Sequence, residues 1–108
     1  MQVSDLIKAL DLTPLTPDFE DRSVTGCYIG DLLSWVMGKA QSGDVWITIM
    51  NNINIVAVAA LTDCACIILC EGVTAAPEII NKAAAEGIII LSCKKAAYEL
   101  ARDISGVL

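Results

Sequence analysis

The chain has 108 residues, enough for one domain with a single hydrophobic core and too few for two. Its formal charge is −6 and no basic cluster exceeds Lys94-Lys95, so we expect no nucleic-acid binding, because a phosphate backbone would be repelled. Although 56% of the residues are hydrophobic, the longest apolar runs are too short to cross a bilayer, so we expect heavy burial, an oligomer interface or both.

The N-terminal part predicts a short helix followed by a loop. Residues 4–10 carry apolar side chains at helical spacing. No basic region followed by an apolar stretch opens the chain, so we expect a cytoplasmic protein rather than a secreted one. Pro14 and Pro17 then interrupt regular structure, because each proline lacks an amide donor and restricts the residue before it.

The next segment predicts a strand, a sharp turn and an amphipathic helix. The strand covers residues 24–29 and ends at Gly30, and Asp31 is a good N-cap for the helix. The stripe of that helix that we expect to be buried comprises Leu32, Leu33, Val36, Met37 and Ala40. We expect Trp35 and Trp46 to be buried in the core or in a dimer interface.

The remainder predicts alternating strands and helices. Strands are expected over residues 45–50, 66–70 and 88–91, and helices over residues 53–61, from Pro77 to Gly87, and over residues 95–104. The run 53–61 is ambiguous, but its length and alanines favour a buried helix, capped by Asn52 or Asn54. Glu78 and Lys82 are spaced to pair on the exposed face of the helix after Pro77.

This alternation predicts a three-layer α/β/α domain over residues 1–108, with a mostly parallel central sheet of four or five strands. The last three strands are continuous apolar runs, which is typical of strands covered on both faces. Right-handed crossovers between the parallel strands then follow by default.

The carboxyl ends of the strands form the expected ligand edge of such a sheet, and helix N-termini there suit a phosphate or carboxylate. The residues that follow the strands are Gly30, Asp31, Asn51, Asn52, Asn54, Glu71, Gly72, Ser92, Cys93 and Lys94. The alternative is that the Asp, Asn and Ser residues cap helices and the lysines are solvated. For any single residue that alternative is favoured, because caps are common and sites are few.

Cysteine and histidine usage limits the available chemistry. Five cysteines is an odd number, which favours free thiols in a chain without a secretory signal. Cys64, Cys66 and Cys70 suggest an iron–sulfur or zinc site, but Cys66 and Cys70 would lie about 13 Å apart along one strand, so burial is favoured. Histidine is absent, which removes the commonest general base and zinc ligand.

Arg22 allows two interpretations. Its guanidinium either holds a carboxylate or carbonyl within its own domain or grips an anionic ligand. The first is favoured, because nothing basic surrounds Arg22 to build an anion pocket.

The same segment resembles a known signature. Asp21-Arg22, Val24-Thr25-Gly26 and Gly30-Asp31-Leu32-Leu33-Ser34 look like the DRTGG domain family, and the strand Trp46-Ile47-Thr48-Ile49 adds to the likeness. The similarity extends from about Val3 to Leu100. Cys27 stands where the signature has its second glycine, which argues against a close backbone approach at that position.

The resemblance implies a layered α/β/α domain similar to the N-terminal domain of HPr kinase/phosphorylase. Such domains occur within some phosphotransacetylases and beside CBS domains in certain pyrophosphatases, where they are regulatory or dimer-forming rather than catalytic. We therefore expect a non-catalytic homodimeric module that senses a small anion such as an adenine nucleotide and has a partner enzyme. The predicted ligand-binding residues are Arg22, Thr25, Gly26, Asp31, Asn51, Asn52, Glu71 and Lys94, and no cofactor or metal is expected.

Two other classes of function stay open. One is a redox or metal (iron–sulfur) accessory protein that uses Cys64, Cys66 and Cys70. The other is a small transferase or kinase, for which only Asp31, Glu71 or Asp63 offers a general base. The kinase alternative is disfavoured, because the chain has no glycine-rich loop with a lysine to cradle a phosphate.

Overall fold

A computed structural model describes residues 1–108. The helices are α1 (Val3–Leu10), α2 (Leu33–Lys39), α3 (Asn54–Thr62), α4 (Pro77–Ala85) and α5 (Ala97–Val107), and the strands are β1 (Thr13–Pro14), β2 (Gly26–Ile29), β3 (Asp44–Thr48), β4 (Cys66–Leu69) and β5 (Ile90–Ser92). The chain thus alternates between strands and helices along most of its length, as the sequence predicts.

The five strands form one sheet in the order β1-β5-β4-β3-β2. Strands β2 to β5 run parallel, and β1 alone is antiparallel to its neighbour β5. Helices cover both faces of the sheet, which confirms the predicted three-layer α/β/α domain with a mostly parallel sheet. None of the helices has the length and apolar character needed to span a membrane.

Each face of the sheet has its own hydrophobic core. Leu6 of α1 and Leu100 of α5 belong to one core, and the other lies between the sheet and α2, α3 and α4. Successive side chains of a strand point to opposite faces, so Val45 and Ile47 join the first core and Trp46 joins the second. Burial on both faces explains why the central strands are continuous apolar runs.

Strand β1 corrects one expectation, because the proline-rich segment after α1 is not only a loop. Thr13 pairs with Ser92 and Pro14 pairs with Leu91 at the outer side of β5. Proline is tolerated in a strand at the sheet edge, where its missing N–H faces no neighbour. The short antiparallel strand therefore supplies the fifth member of the sheet.

The ambiguous run after β3 is a helix, as predicted, and forms α3. The N-cap position of α3 is Ile53 rather than the expected Asn52 or Asn54, although the side-chain oxygen of Asn52 does accept the backbone N–H of Asn54, the first residue of the helix, at 2.9 Å. The predicted pairing of Glu78 with Lys82 is wrong, since Lys82 Nζ instead lies 3.0 Å from Glu86 Oε2, one turn further on.

Helix α2 is less buried than its pattern predicts. Val36 is fully buried and Leu33 is half-buried, whereas Leu32 and Met37 are 61% and 45% exposed. The reason is the position of α2 at the β2 end of the sheet, where α3 is the helix packed beside it. Trp46 is fully buried as expected, but Trp35 is 57% exposed, with Lys39 Nζ 4.4 Å from its ring centroid.

Candidate functional site

The predicted site residues lie at two opposite ends of the sheet. Asp31, Asn51, Asn52, Glu71 and Lys94 follow strands and lie at the carboxyl ends of the parallel strands, whereas Arg22, Thr25 and Gly26 precede or begin β2 and lie at the amino ends. Strand β2 has four residues, so its two ends are about 10 Å apart. The eight residues therefore do not form one site.

At the amino end, Asp21 holds the start of α1. Its carboxylate accepts the backbone N–H of Ser4 at 3.0 Å, the Ser4 hydroxyl and the backbone N–H of Arg22 at 3.1 Å. These bonds satisfy an amide in the first turn of α1 that has no partner inside the helix. The bond from the Ser4 hydroxyl is the main cause that lowers the pKa of Asp21.

Arg22 is bound within its own domain. Its Nη2 donates to Asp63 Oδ1 at 2.7 Å and to the Asp63 carbonyl oxygen at 3.3 Å, which ties the segment before β2 to the end of α3. The Ser42 hydroxyl donates to the other carboxylate oxygen of Asp63 at 2.5 Å. The bond from Ser42, followed by the contact with Arg22, lowers the pKa of Asp63.

Gly26 makes the close approach at this end of the sheet. A Cβ atom on Gly26 would lie 2.5 Å from Oδ1 of Asp44, the residue opposite it on β3. Asp44 is nearly buried and its other carboxylate oxygen accepts the backbone N–H of Gln41 at 2.8 Å, so it has little freedom to move. Thr25 beside it donates its backbone N–H to the Gly43 carbonyl at 3.0 Å.

At the carboxyl end, Asp31 does not cap α2. The N-cap is Leu32, and Asp31 Oδ1 instead accepts the Thr48 hydroxyl at 2.8 Å and the Ile49 backbone N–H at 3.0 Å. The carboxylate therefore fastens the turn after β2 to the end of β3. A local capping pattern could not reveal this, because the partners lie 17 and 18 residues away.

The other carboxyl-end residues also serve the loops. Asn51 Nδ2 donates to the Thr74 carbonyl oxygen at 2.7 Å and so joins the loops that follow β3 and β4. Glu71 has a positive φ of 57°, and its backbone N–H donates to the Lys95 carbonyl oxygen at 2.8 Å. These bonds give the carboxyl edge a fixed shape around the end of β5.

A groove of about 470 Å³ lies at the carboxyl end of β5. It is lined by Leu10, Asp11, Thr13, Ser92, Cys93, Lys94 and Lys95. Lys94 is the one predicted ligand-binding residue among them. Thr13 also lines the groove, because it belongs to β1, a strand that the sequence does not predict. Lys95 Nζ is paired with Asp103 Oδ2 at 2.5 Å, which leaves Lys94 as the lysine of the groove without an ion pair.

Two further grooves lie near the amino ends of the strands. One, of about 410 Å³, is lined by Gln2, Asp21, Arg22, Ser23, Thr25, Ser42 and Gly43. The other, of about 430 Å³, lies between residues 16–20 and the end of α4 and includes Asp18, Glu20 and Arg22. Arg22 is shared by both grooves and is already paired with Asp63, so the carboxylates make this end unfavourable for an anion.

A comparison with models of protein families shows to which family this chain belongs. The model of the DRTGG domain matches residues 5–107. The chain belongs to the DRTGG domain family. The family signature, residues 21–27 here, thus forms the amino end of the sheet. A comparison with curated protein sequences gave no match.

The DRTGG fold is also seen in a solved structure. This chain is similar to the CBS and DRTGG domains of the regulatory region of a Clostridium perfringens pyrophosphatase, which was crystallised with its activator, diadenosine tetraphosphate. The TM-score is 0.72 at 16% sequence identity, over 94% of this chain and 45% of that chain. The likeness concerns the fold, and the present chain spans less than half of the other.

Cys27 replaces the second glycine of the DRTGG signature without disturbing the backbone. It pairs with Val45 in the parallel register of β2 and β3, and its side chain is exposed at the sheet edge. The close approach occurs one residue earlier, at Gly26. The structure thus agrees with the expectation that position 27 makes no close backbone approach, since the side chain of Cys27 is exposed there.

The three clustered cysteines of this DRTGG domain do not converge. Cys66 and Cys70 belong to the core under α1 and α5, whereas Cys64 belongs to the core on the opposite face of the sheet. Nowhere in residues 1–108 do three His, Cys, Asp or Glu side chains come together as metal ligands would. Burial raises the pKa of the Cys66 thiol, which favours the protonated, unreactive form.

The hydrogen bonds to the carboxylates of Asp21 and Asp63 predict that this DRTGG domain loses stability in acid. Hydrogen bonds lower the pKa of Asp21 and Asp63 in the folded state, so their ionised forms stabilise the fold. This stabilisation is present above the unfolded pKa of about 4 and is lost as the pH falls through the folded values. We expect urea unfolding midpoints that change little between pH 7 and pH 5 and that fall below about pH 4.

The variant Asp21→Asn tests this prediction. The substitution removes the ionised carboxylate that accepts the Ser4 amide and hydroxyl. The variant should therefore be less stable than the wild type at pH 7 and should lose less stability between pH 5 and pH 3. Ser4→Ala removes the main hydroxyl donor to the same carboxylate and should act in the same direction with a smaller effect. An Asp21→Asn profile that stays parallel to the wild-type profile would contradict the assignment.

Proposed function

We propose that this DRTGG domain is a non-catalytic regulatory module that works as a homodimer, binds a small anion such as an adenine nucleotide, and acts on a partner enzyme. The observation that carries the proposal is the family match over residues 5–107. The similar pyrophosphatase region, which is regulatory and was crystallised with a nucleotide activator, supports the same class of function.

The state of two of the three candidate general bases, Asp31 and Asp63, supports a non-catalytic role. Asp31 accepts hydrogen bonds from Thr48 and Ile49, and Asp63 accepts bonds from Arg22 and Ser42. Each carboxylate is thus engaged in holding two segments of the fold together. The lowered pKa of Asp63 makes it a weak base at neutral pH.

The groove beside β5 is the place that we propose for the anion. Lys94 supplies a positive charge, and the N-cap of α5 is Ala96, two residues later, which offers no side-chain cap, so the first amides of the helix have no partner inside it. Asp11, which also lines the groove, offers an acceptor for a ribose hydroxyl or an adenine amino group. A volume of about 470 Å³ lies within the range of small-molecule sites.

Thermal and urea unfolding with a panel of AMP, ADP, ATP, diadenosine tetraphosphate and inorganic phosphate tests this proposal. A specific ligand at 100 times its Kd should raise the free energy of unfolding by about 2.7 kcal/mol. Lys94→Ala should weaken binding by about tenfold or more, because it removes a charged hydrogen-bond donor. Lys82→Ala on α4 is the matched control and should bind like the wild type.

The proposal of nucleotide sensing would fail if no member of the panel shifted the unfolding midpoint. If a nucleotide stabilised the wild type and Lys94→Ala equally, the nucleotide would bind elsewhere and only the placement in the β5 groove would be wrong. Phosphate acting as strongly as the nucleotides would show recognition of the anion without the adenine base.

A further inference from the structure

Exposed large apolar side chains gather where β2 and β3 end. Ile29, Leu32, Trp35, Ile49 and Ile53 come from the ends of these strands and from the helices that follow, and each is between 41% and 61% exposed. We call these five residues the apolar corner.

The members of the apolar corner come from segments that are fastened together. The carboxylate of Asp31 accepts the backbone N–H of Ile49 at 3.0 Å, so the turn that carries Leu32 lies against the end of β3. Trp35 lies one helical turn beyond Leu32, and α2 packs against α3, which begins just after Ile53. The corner is therefore built on fixed elements of the fold.

Charge is nearly absent from these segments. Residues 45–62 contain no charged side chain, and residues 27–39 contain only Asp31, whose Oδ1 is hydrogen-bonded to Thr48 and Ile49, and Lys39, whose Nζ lies 4.4 Å from the ring centroid of Trp35. The chain as a whole has a charge of −6, so two copies repel one another over most of their surface. A neutral apolar face is the surface on which two such chains approach at low electrostatic cost, and depletion of charge is typical of the core of an interface.

The area of the corner is of the right order for self-association. With their observed exposure, its five side chains present on the order of 500 Å², against roughly 800 Å² per partner in a standard stable interface. Strand β2 lies beside the corner as an edge of the sheet with no strand on its outer side, and this edge offers further contact area.

We infer that the apolar corner is the contact surface between two copies of this chain related by a two-fold axis. The inference rests on the proposed homodimer and names its surface. In a two-fold interface the same patch faces itself, so each substitution acts twice. With Asp31 and Lys39 as its neighbouring charges the apolar corner carries no net charge, so it can face its own copy without net repulsion.

Sedimentation equilibrium of the full chain tests the inference. The wild type is expected to be a dimer at micromolar concentration, and the double variant Leu32→Asp/Ile53→Asp should weaken association by at least 100-fold, because four carboxylates would enter an apolar contact. Leu61→Asp is the matched control. Leu61 is 71% exposed at the far end of α3, so this variant should dimerise like the wild type.

Far-UV circular dichroism of each variant establishes that the monomer is folded. A folded Leu32→Asp/Ile53→Asp monomer beside a dimeric Leu61→Asp would support the surface. A double variant that stays dimeric, or a Leu61→Asp variant that dissociates equally, would overturn it while leaving a homodimeric module in place. A wild type that stays monomeric at 100 µM would overturn both this surface and the proposed dimer, whereas nucleotide binding would be judged separately by the unfolding panel.

Discussion

Trp46→Ala is expected to lower the free energy of unfolding by about 3–5 kcal/mol. Trp46 is fully buried in the middle of β3, and its Nε1–H donates to the Gly30 carbonyl oxygen at 2.9 Å. Truncation would leave a cavity in the core under α2 and α3 and would remove the donor that satisfies Gly30. The measurement is urea unfolding followed by circular dichroism and by the fluorescence of the remaining Trp35.

Trp46→Phe separates the two causes of this loss. It keeps much of the aromatic volume but removes the indole N–H, so we expect it to cost about 1–3 kcal/mol, less than Trp46→Ala. If Trp46→Ala cost less than 1 kcal/mol, the burial assigned to Trp46, and with it the second core, would be contradicted. Equal losses for both variants would assign the whole effect to the hydrogen bond with Gly30.

Gly43→Ala is expected to lower the free energy of unfolding by about 2–4 kcal/mol. Gly43 has a φ of 86°, which an alanine adopts only under strain, and a Cβ atom there would overlap with the Thr25 hydroxyl. Gly72→Ala is the matched control, since Gly72 has a φ of 74° but no atom within 4 Å of the added Cβ. It should cost only the backbone strain, about 1 kcal/mol.

The double variant Thr25→Ala/Gly43→Ala tests the cause of the extra loss. Removing the Thr25 hydroxyl and methyl groups removes the overlap, so the cost of Gly43→Ala in the Thr25→Ala background should fall to that of Gly72→Ala. An unchanged cost in that background would show that backbone strain, and not the contact between Thr25 and Gly43, makes glycine necessary. Urea unfolding of the four proteins completes the cycle.

The layered fold could be predicted from the sequence because strand and helix periodicities alternate clearly along it. The length and the alanines of residues 53–61 correctly predict helix α3. The sequence does not predict strand β1, because Pro14 argues against a strand and is acceptable only at the sheet edge, where no partner needs its N–H. The exposure of Leu32 and Met37 was missed because periodicity cannot show that α2 lies at the end of the sheet.

The candidate site was less predictable, because its contacts join distant parts of the chain. Asp63, the partner of Arg22, lies 41 residues away and has no local pattern that marks it. One signal was available: residues that precede a strand lie at the opposite end from residues that follow it. Applied to Arg22, Thr25 and Gly26, it separates them from Asp31 and the other residues of the carboxyl edge.

The central claim is that the DRTGG signature builds the amino end of the sheet, while the anion site that we propose lies at the opposite end, beside β5. A nucleotide titration followed by ¹H–¹⁵N correlation spectra of the full chain tests this most directly. We predict that the amide shifts change at residues 92–98 and around Asp11, and that those of residues 21–26 and 41–43 stay in place. Changes concentrated at Arg22, Thr25 and Ser42, with none beside Lys94, would contradict the account.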